Sequence, residues 1–174
     1  MTGDRGFSLI EILVAASIFT VAITAASSLF VAALEGQRHA IAQQNLLDNL
    51  RFATEIMTRQ IRMAQQDDES GSCTSIAKAT YGGGGSNIRF VAHDGDCIEY
   101  SLDLGGRIVV QEGGGGFEEI TSDDINVTLL NFDLQGELVD DNEQPRVTIF
   151  IEAADSGEIL KLQTTVSGRN IDVP

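Results

Sequence analysis

Charge is missing from a long stretch of this chain. Between Ile12 and Leu34 lie 23 residues without one Asp, Glu, Lys or Arg. A water-facing helix needs a polar face, so an ordinary surface helix is excluded and a bilayer-spanning one is indicated. At 1.5 Å per residue the stretch covers roughly 34 Å, enough to cross a hydrocarbon layer of ~30 Å. Proline is missing as well. None occurs from Phe7 to Gln66, and Gly36 is the only glycine in that interval, so nothing interrupts a helix there. Histidine is limited to His39 and His93. They offer no ligand spacing and no Ser–His–acid context, so neither a metal site nor an enzymatic one is expected.

Basic residues are scarce where acids are abundant. From Glu35 to Gln66 the four arginines 38, 51, 59 and 62 face Glu35, Asp48 and Glu55. From Asp67 to Pro174 there are 21 acids and 6 bases. Such a surface keeps a domain soluble and repels phosphate backbones, which argues against direct nucleic-acid binding by this part. The runs Gly82–Gly85 and Gly113–Gly116 are not followed by Lys-Ser/Thr, so a nucleotide-binding loop is excluded. Four glycines in a row read as flexible backbone.

What is present begins with Arg5-Gly6-Phe7-Ser8-Leu9-Ile10-Glu11. Glu11 is a lone carboxylate set into the apolar block, four residues past Phe7. An ionisable group there costs about 2.5–3.5 kcal/mol even on gentle insertion scales, so it calls for a partner. A general secretory signal has a shorter apolar stretch and cleavage after it; Ala25-Ala26-Ser27 is the nearest imitation, but the block is too long and Glu11 is misplaced for it. An ordinary single-pass anchor accounts for the length but not for Gly6-Phe7 or Glu11.

The pattern Gly, Phe, Ser-Leu-Ile-Glu and a full uncharged span resembles the class III signal of type IV pilins and of the pseudopilins of type II secretion and competence systems. The resemblance implies cleavage by a prepilin peptidase between Gly6 and Phe7, methylation of the new Phe7 amine, and an assembly role for Glu11, which attracts the amino terminus of a neighbouring subunit. The segments Gln144-Pro145-Arg146-Val147-Thr148-Ile149 and Leu162–Asn170 look like the endings of minor pilins and J-type pseudopilins. The implied protein is a minor pilin or pseudopilin, a structural subunit and not an enzyme. Its implied partners are the prepilin peptidase, other pilin subunits through the N-terminal helix, and the bacterial cytoplasmic membrane, with the head outside the cytoplasm. The alternative is a membrane-tethered ligand-binding or adhesion module.

The expected organisation is a leader over 1–6, a transmembrane and assembly helix over 7–34, an amphipathic continuation over 35–66, and an acidic β-sheet head over 67–174. The fold class is α+β, with the long helix packed on an antiparallel sheet. Leu46, Leu50, Ala53, Met57, Ile61 and Ala64 recur at helical spacing and form an apolar stripe, widened by Leu47 and Ile56. Acids and glycine in Asp67–Ser72 end the helix. Short strands follow at Ile88–Ala92, Cys97–Asp103, Arg107–Gln111, Ile125–Leu134, Arg146–Glu152 and Ile159–Val166, giving one sheet of five or six strands whose bare apolar face the stripe covers.

Cys73 and Cys97 lie in the part placed outside the membrane, where disulfides persist. A bridge there stands against two buried free thiols. No cofactor is expected. Some pseudopilins bind calcium in their heads, and Asp94-Gly95-Asp96 and Asp140-Asp141-Asn142-Glu143 supply the candidate Ca²⁺ oxygens, although neither has the spacing of an EF-hand loop.

Overall fold

The computed structural model describes residues 8–138 and 143–169. Gly6, Phe7, the segment Asp140–Asn142 and Asn170 lie outside the described residues. The chain divides into two compact units after Ile41.

One helix, α1, runs over Leu9–Arg62, ending four residues short of the expected Gln66. Ser8 precedes it, and its carbonyl accepts hydrogen bonds from the Glu11 and Ile12 amides at 3.0 and 3.2 Å. In the first unit every described residue from Ser8 to Ile41 is exposed. In the second unit the helix changes character at Ala42. Leu46, Leu50, Ala53, Met57, Ile61 and Ala64, the whole expected stripe, are buried, with Ile56 packed at its margin. Arg59 and Arg62 in the last turn favour the helix dipole.

Eight strands follow: β1 Gly82–Gly84, β2 Asn87–Val91, β3 Cys97–Leu102, β4 Ile108–Glu112, β5 Phe117–Glu119, β6 Asn126–Gln135, β7 Arg146–Asp155 and β8 Glu158–Ser167. They form two antiparallel sheets rather than the expected one, ordered β1-β2-β3-β4-β5 and β6-β7-β8. Alternation places Ile88, Phe90, Ile98, Tyr100, Ile108 and Val110 on the inner face of the first sheet. Val147, Ile149, Ile151 and Ala153 occupy the inner face of the second. These residues and the helix stripe belong to one buried cluster. A register shift between Val127 and Leu129 inserts one residue into β6, so that Val127 and Leu130 both face inward.

The first glycine run corrects the reading of it as flexible backbone. Gly82, Gly83 and Gly84 pair with Arg89, Ile88 and Asn87 as β1. Gly85 then exchanges backbone hydrogen bonds of 2.9 and 2.7 Å with Phe132 of β6, which joins the two sheets. Gly83, Gly84 and Gly85 have φ of +90°, +104° and +71°, conformations that side chains resist. A Cβ on Gly82 would lie 2.1 Å from the Thr74 carbonyl oxygen. The run is glycine because the backbone passes too close to its neighbours for anything larger.

The helix end is held from two sides. Tyr81, fully buried, donates its hydroxyl to the Ile61 carbonyl at 2.9 Å, and the Arg169 amide donates to the Arg62 carbonyl at 3.2 Å. These satisfy carbonyls that a helix C-terminus otherwise leaves without partners. Burial pushes the Tyr81 phenol up, so it stays a donor at any ordinary pH.

Candidate assembly site on the N-terminal helix

The first unit shows how a helix with hydroxyls is made fit for an apolar surrounding. Ser17, Thr20 and Thr24 donate their hydroxyls to the carbonyls of Leu13, Ala16 and Thr20, each at 2.8 Å, and Ser28 donates to Ala25 at 2.8 Å. The polar side chains are thereby spent inside the helix. What faces outward is apolar: Leu9, Ile10, Phe19, Leu29 and Phe30 are all more than 60 % exposed. This is one helix long and apolar enough to cross a membrane, with a mean hydropathy of 2.2 over its most apolar window.

Glu11 is exposed in the first turn of this surface. It lines a shallow groove with Ile12, Ala15, Ala16 and Phe19, in which the two alanines leave room beside the carboxylate. Its position three residues past Ser8 is also the spacing of a capping box, and an acid in a first helical turn is favoured by the dipole. Both local roles are compatible with a contact to a second molecule. The expected cleavage pair Gly6 and Phe7 adjoins this turn but lies outside the described residues.

In the second unit Cys73 and Cys97, 24 positions apart in sequence, are joined, with Cα atoms 5.5 Å apart. The bridge ties the loop that follows α1 to the start of β3. Closing a loop of this length restricts the unfolded chain by about 3 kcal/mol on a loop-entropy argument. Reduction of the full chain in detergent is expected to lower its thermal midpoint by about 10 °C without releasing the sheet pairing. Circular dichroism with and without a thiol reductant measures it. An unchanged midpoint would show the bridge to be dispensable.

The acids after α1, read from sequence only as a helix stop, include a structural centre. Asp67 is 5 % exposed. Its Oδ2 accepts from the Cys73 amide at 3.0 Å, the Thr74 amide at 2.7 Å and the Thr74 hydroxyl at 2.9 Å. Its Oδ1 accepts from the Asp68 amide at 2.8 Å. Burial alone pushes this carboxyl up, but the donors of Thr74, Asp68 and Cys73 together hold it below the usual carboxylate range. The neighbouring Asp68 accepts from the Ser70 hydroxyl at 2.7 Å and amide at 2.9 Å, chiefly the hydroxyl holding its carboxyl down at about 2. No spacing rule in the sequence announces Asp67. The partners of a loop carboxylate are chosen by how the loop folds back.

For calcium, Asp94 and Asp96 are described, and Asp94 accepts the Asp96 amide at 3.2 Å. Among the described residues no group of three His, Cys, Asp or Glu side chains converges on a common point.

A bare apolar helix in one unit, and in the other a helical stripe packed against antiparallel sheets, is the α+β layout of the type IV pilins. Residues 1–27 match the prokaryotic N-terminal methylation motif. The chain thus carries a type IV pilin-like prepilin signal, and the match supports a pilin or pseudopilin processed by prepilin peptidase. No curated protein and no solved structure gives a significant match.

Proposed function

We propose that this protein is a minor pilin or pseudopilin, held in the cytoplasmic membrane by a single pass and drawn into a helical filament by its N-terminal helix. The observation that carries the reading is the combination of the prepilin signal with an exposed, charge-free helical surface whose one carboxylate is Glu11. Cleavage after Gly6 frees the Phe7 amine as a positive charge at the membrane edge. In a low dielectric, Glu11 of a neighbouring subunit is its natural partner. The leader must go first, because it holds that nitrogen in a peptide bond. The subunit does its work by packing, and no catalytic step is assigned to it.

The test is the intact mass and N-terminal sequence of the protein from its native membrane. The expected chain begins at Phe7 and is heavier by one methyl group. Gly6→Asp is expected to leave an uncut precursor. A chain beginning near Ser27 would instead indicate ordinary secretion of a soluble domain, and normal trimming of Gly6→Asp would remove the cleavage assignment.

A further inference from the structure

Among the described residues β5 and β8 carry no strand on their outer side, and the two edges differ in length, charge and direction. β8 closes the three-stranded sheet, and β5 closes the five-stranded one. The opposite edges of the two sheets, β1 and β6, meet at the Gly85–Phe132 bridge. β8 pairs with β7 over ten unbroken residue pairs, from Arg146 with Ser167 to Asp155 with Glu158. The connecting Ser156-Gly157 has φ of +47° and +89°, a two-residue turn of the primed type. That turn makes Asp155–Glu158 a hydrogen-bonded pair, and the alternation leaves the backbone groups of Ile159, Lys161, Gln163, Thr165 and Ser167 pointing away from β7. Natural proteins protect long edges with proline, bulges or several charges. This edge carries only Lys161 between Ile159 and Gly168, with Ile159 64 % exposed.

β5 is the complement. Because the Ile120 amide bonds the Ile108 carbonyl at 2.9 Å, Phe117 and Glu119 are the residues whose backbone groups face outward. This edge is acidic in sum, with Glu118, Glu119 and Asp123 against Arg107, which pairs with Glu119 at 2.7 Å and Asp123 at 3.1 Å, and it displays Phe117 at 59 % exposure. β8 carries no acid between Ile159 and Gly168, and its Lys161 pairs with Glu152 at 2.7 Å, so an acidic edge meets little repulsion along it.

Direction decides the pairing. Gln43 bonds Glu158 at 2.9 Å and the Arg62 carbonyl meets Arg169, so β8 runs with the outer half of α1. Gln60 bonds Glu112 at 3.2 Å before β5, and Asn49 meets the Ser122 amide at 3.1 Å after it, so β5 runs against the helix. Two copies whose helices point the same way therefore present β5 and β8 antiparallel to each other. An antiparallel pairing of β8 with β8 would require the helices to point oppositely.

We propose that the β8 edge of one head pairs antiparallel with the β5 edge of a second copy of this chain, extending the sheets from head to head. With Glu119 opposite Lys161, Phe117 meets Gln163 and Ile120 meets Leu160, all on matching faces. The contact is heterologous, so it propagates in one direction rather than closing a dimer. It rests on the filament reading only for the shared direction of the helices. Four outward backbone groups on β5 make a weak contact alone, strengthened when the membrane holds both copies at high local concentration.

The experiment co-expresses full-length Phe117→Cys and Gln163→Cys copies in the native membrane, with Asp133→Cys and Gln163→Cys as the control pair. Non-reducing electrophoresis is expected to show roughly tenfold more cross-linked dimer for the first pair, as tethered partners in register require. Lys161→Pro in the Gln163→Cys copy should return the yield to the control level, because it removes an outward amide and leaves the β7 ladder whole. Equal yields from both pairs, or cross-links only to a chain of different mass, would overturn pairing between copies. The same cultures report the N-terminus. Chains trimmed at Phe7 and assembled without the cross-link overturn the edge pairing alone. Untrimmed chains overturn the filament reading, while the cross-link in membranes still decides the edge.

Discussion

Asp67→Ala is expected to destabilise the head by about 4 kcal/mol, a large share of the 5–15 kcal/mol that holds a typical domain. The substitution leaves the amides of Asp68, Cys73 and Thr74 without their acceptor, while the Thr74 hydroxyl retains the Ile76 carbonyl at 2.8 Å. Thr74 is 2 % exposed and Cys73 5 %, so water does not readily replace the carboxylate. Each buried donor left unpaired costs about 1–3 kcal/mol, with partial relaxation of the loop reducing the sum. Thermal melting of the full chain in detergent should show a midpoint lower by about 15 °C. Asp67→Asn keeps one acceptor but turns an amide donor toward other donors, and should recover little. A loss below about 1 kcal/mol for Asp67→Ala would show that the loop holds without this centre.

The same carboxylate sets an acid limit. Its pKa is lower in the folded head than the ordinary value of 3.8. A depressed folded value means the stabilisation is complete above that ordinary value and is lost as pH falls through the folded one. Asp68, held at about 2, acts in the same direction. The midpoint should therefore be flat above pH 5 and fall below about pH 4, and Asp67→Ala should flatten that fall.

Glu11→Gln is the second large effect, and it separates charge from shape. Glutamine keeps the size of the side chain and the reciprocal spacing with Ser8, so helix capping is retained. Only the negative charge is lost. The expected protein is cleaved and methylated normally, but its entry into filaments falls by about two orders of magnitude, the factor matching an unpaired charge of roughly 2.5–3.5 kcal/mol at the membrane edge. Glu11→Ala should behave the same way. Sheared filaments probed for mutant and wild-type subunits expressed together read the ratio directly. Incorporation of Glu11→Gln at the wild-type level would remove the amine–carboxylate pairing from the assembly mechanism and leave Glu11 as a helix cap.

The acid after the helix and the glycine run show where local reading stops. Acids at a helix end are correctly read as a stop, because the dipole argument concerns neighbours in sequence. That Asp67 then turns inward and gathers Cys73 and Thr74 depends on a loop closing over seven residues. Gly82–Gly85 was expected to be slack. It is ordered because it pairs back on the strand that begins at Asn87, and because Thr74 and Phe132 approach it from other parts of the chain. The strands were legible from alternation, each within a few residues, but the short β1 and β5 were not. Three residues carry too little periodicity to be seen, and Phe117-Glu118-Glu119 is exposed throughout.

By itself the sequence determined the elements whose signal is local: the charge-free span, the Gly6-Phe7 and Glu11 pattern, the 3.6-residue stripe from Leu46 to Ala64, and the acidity of the head. Each depends on residue type at a fixed spacing, and a helix converts spacing directly into a face. Only the tertiary structure decided that Cys73 meets Cys97, that eight strands divide into two sheets joined at Gly85, and that β5 and β8 are outer strands of those sheets. Those are pairings between segments far apart in sequence. They are selected by which arrangement buries the inner faces of both sheets against one helix stripe, and no local pattern contains that choice.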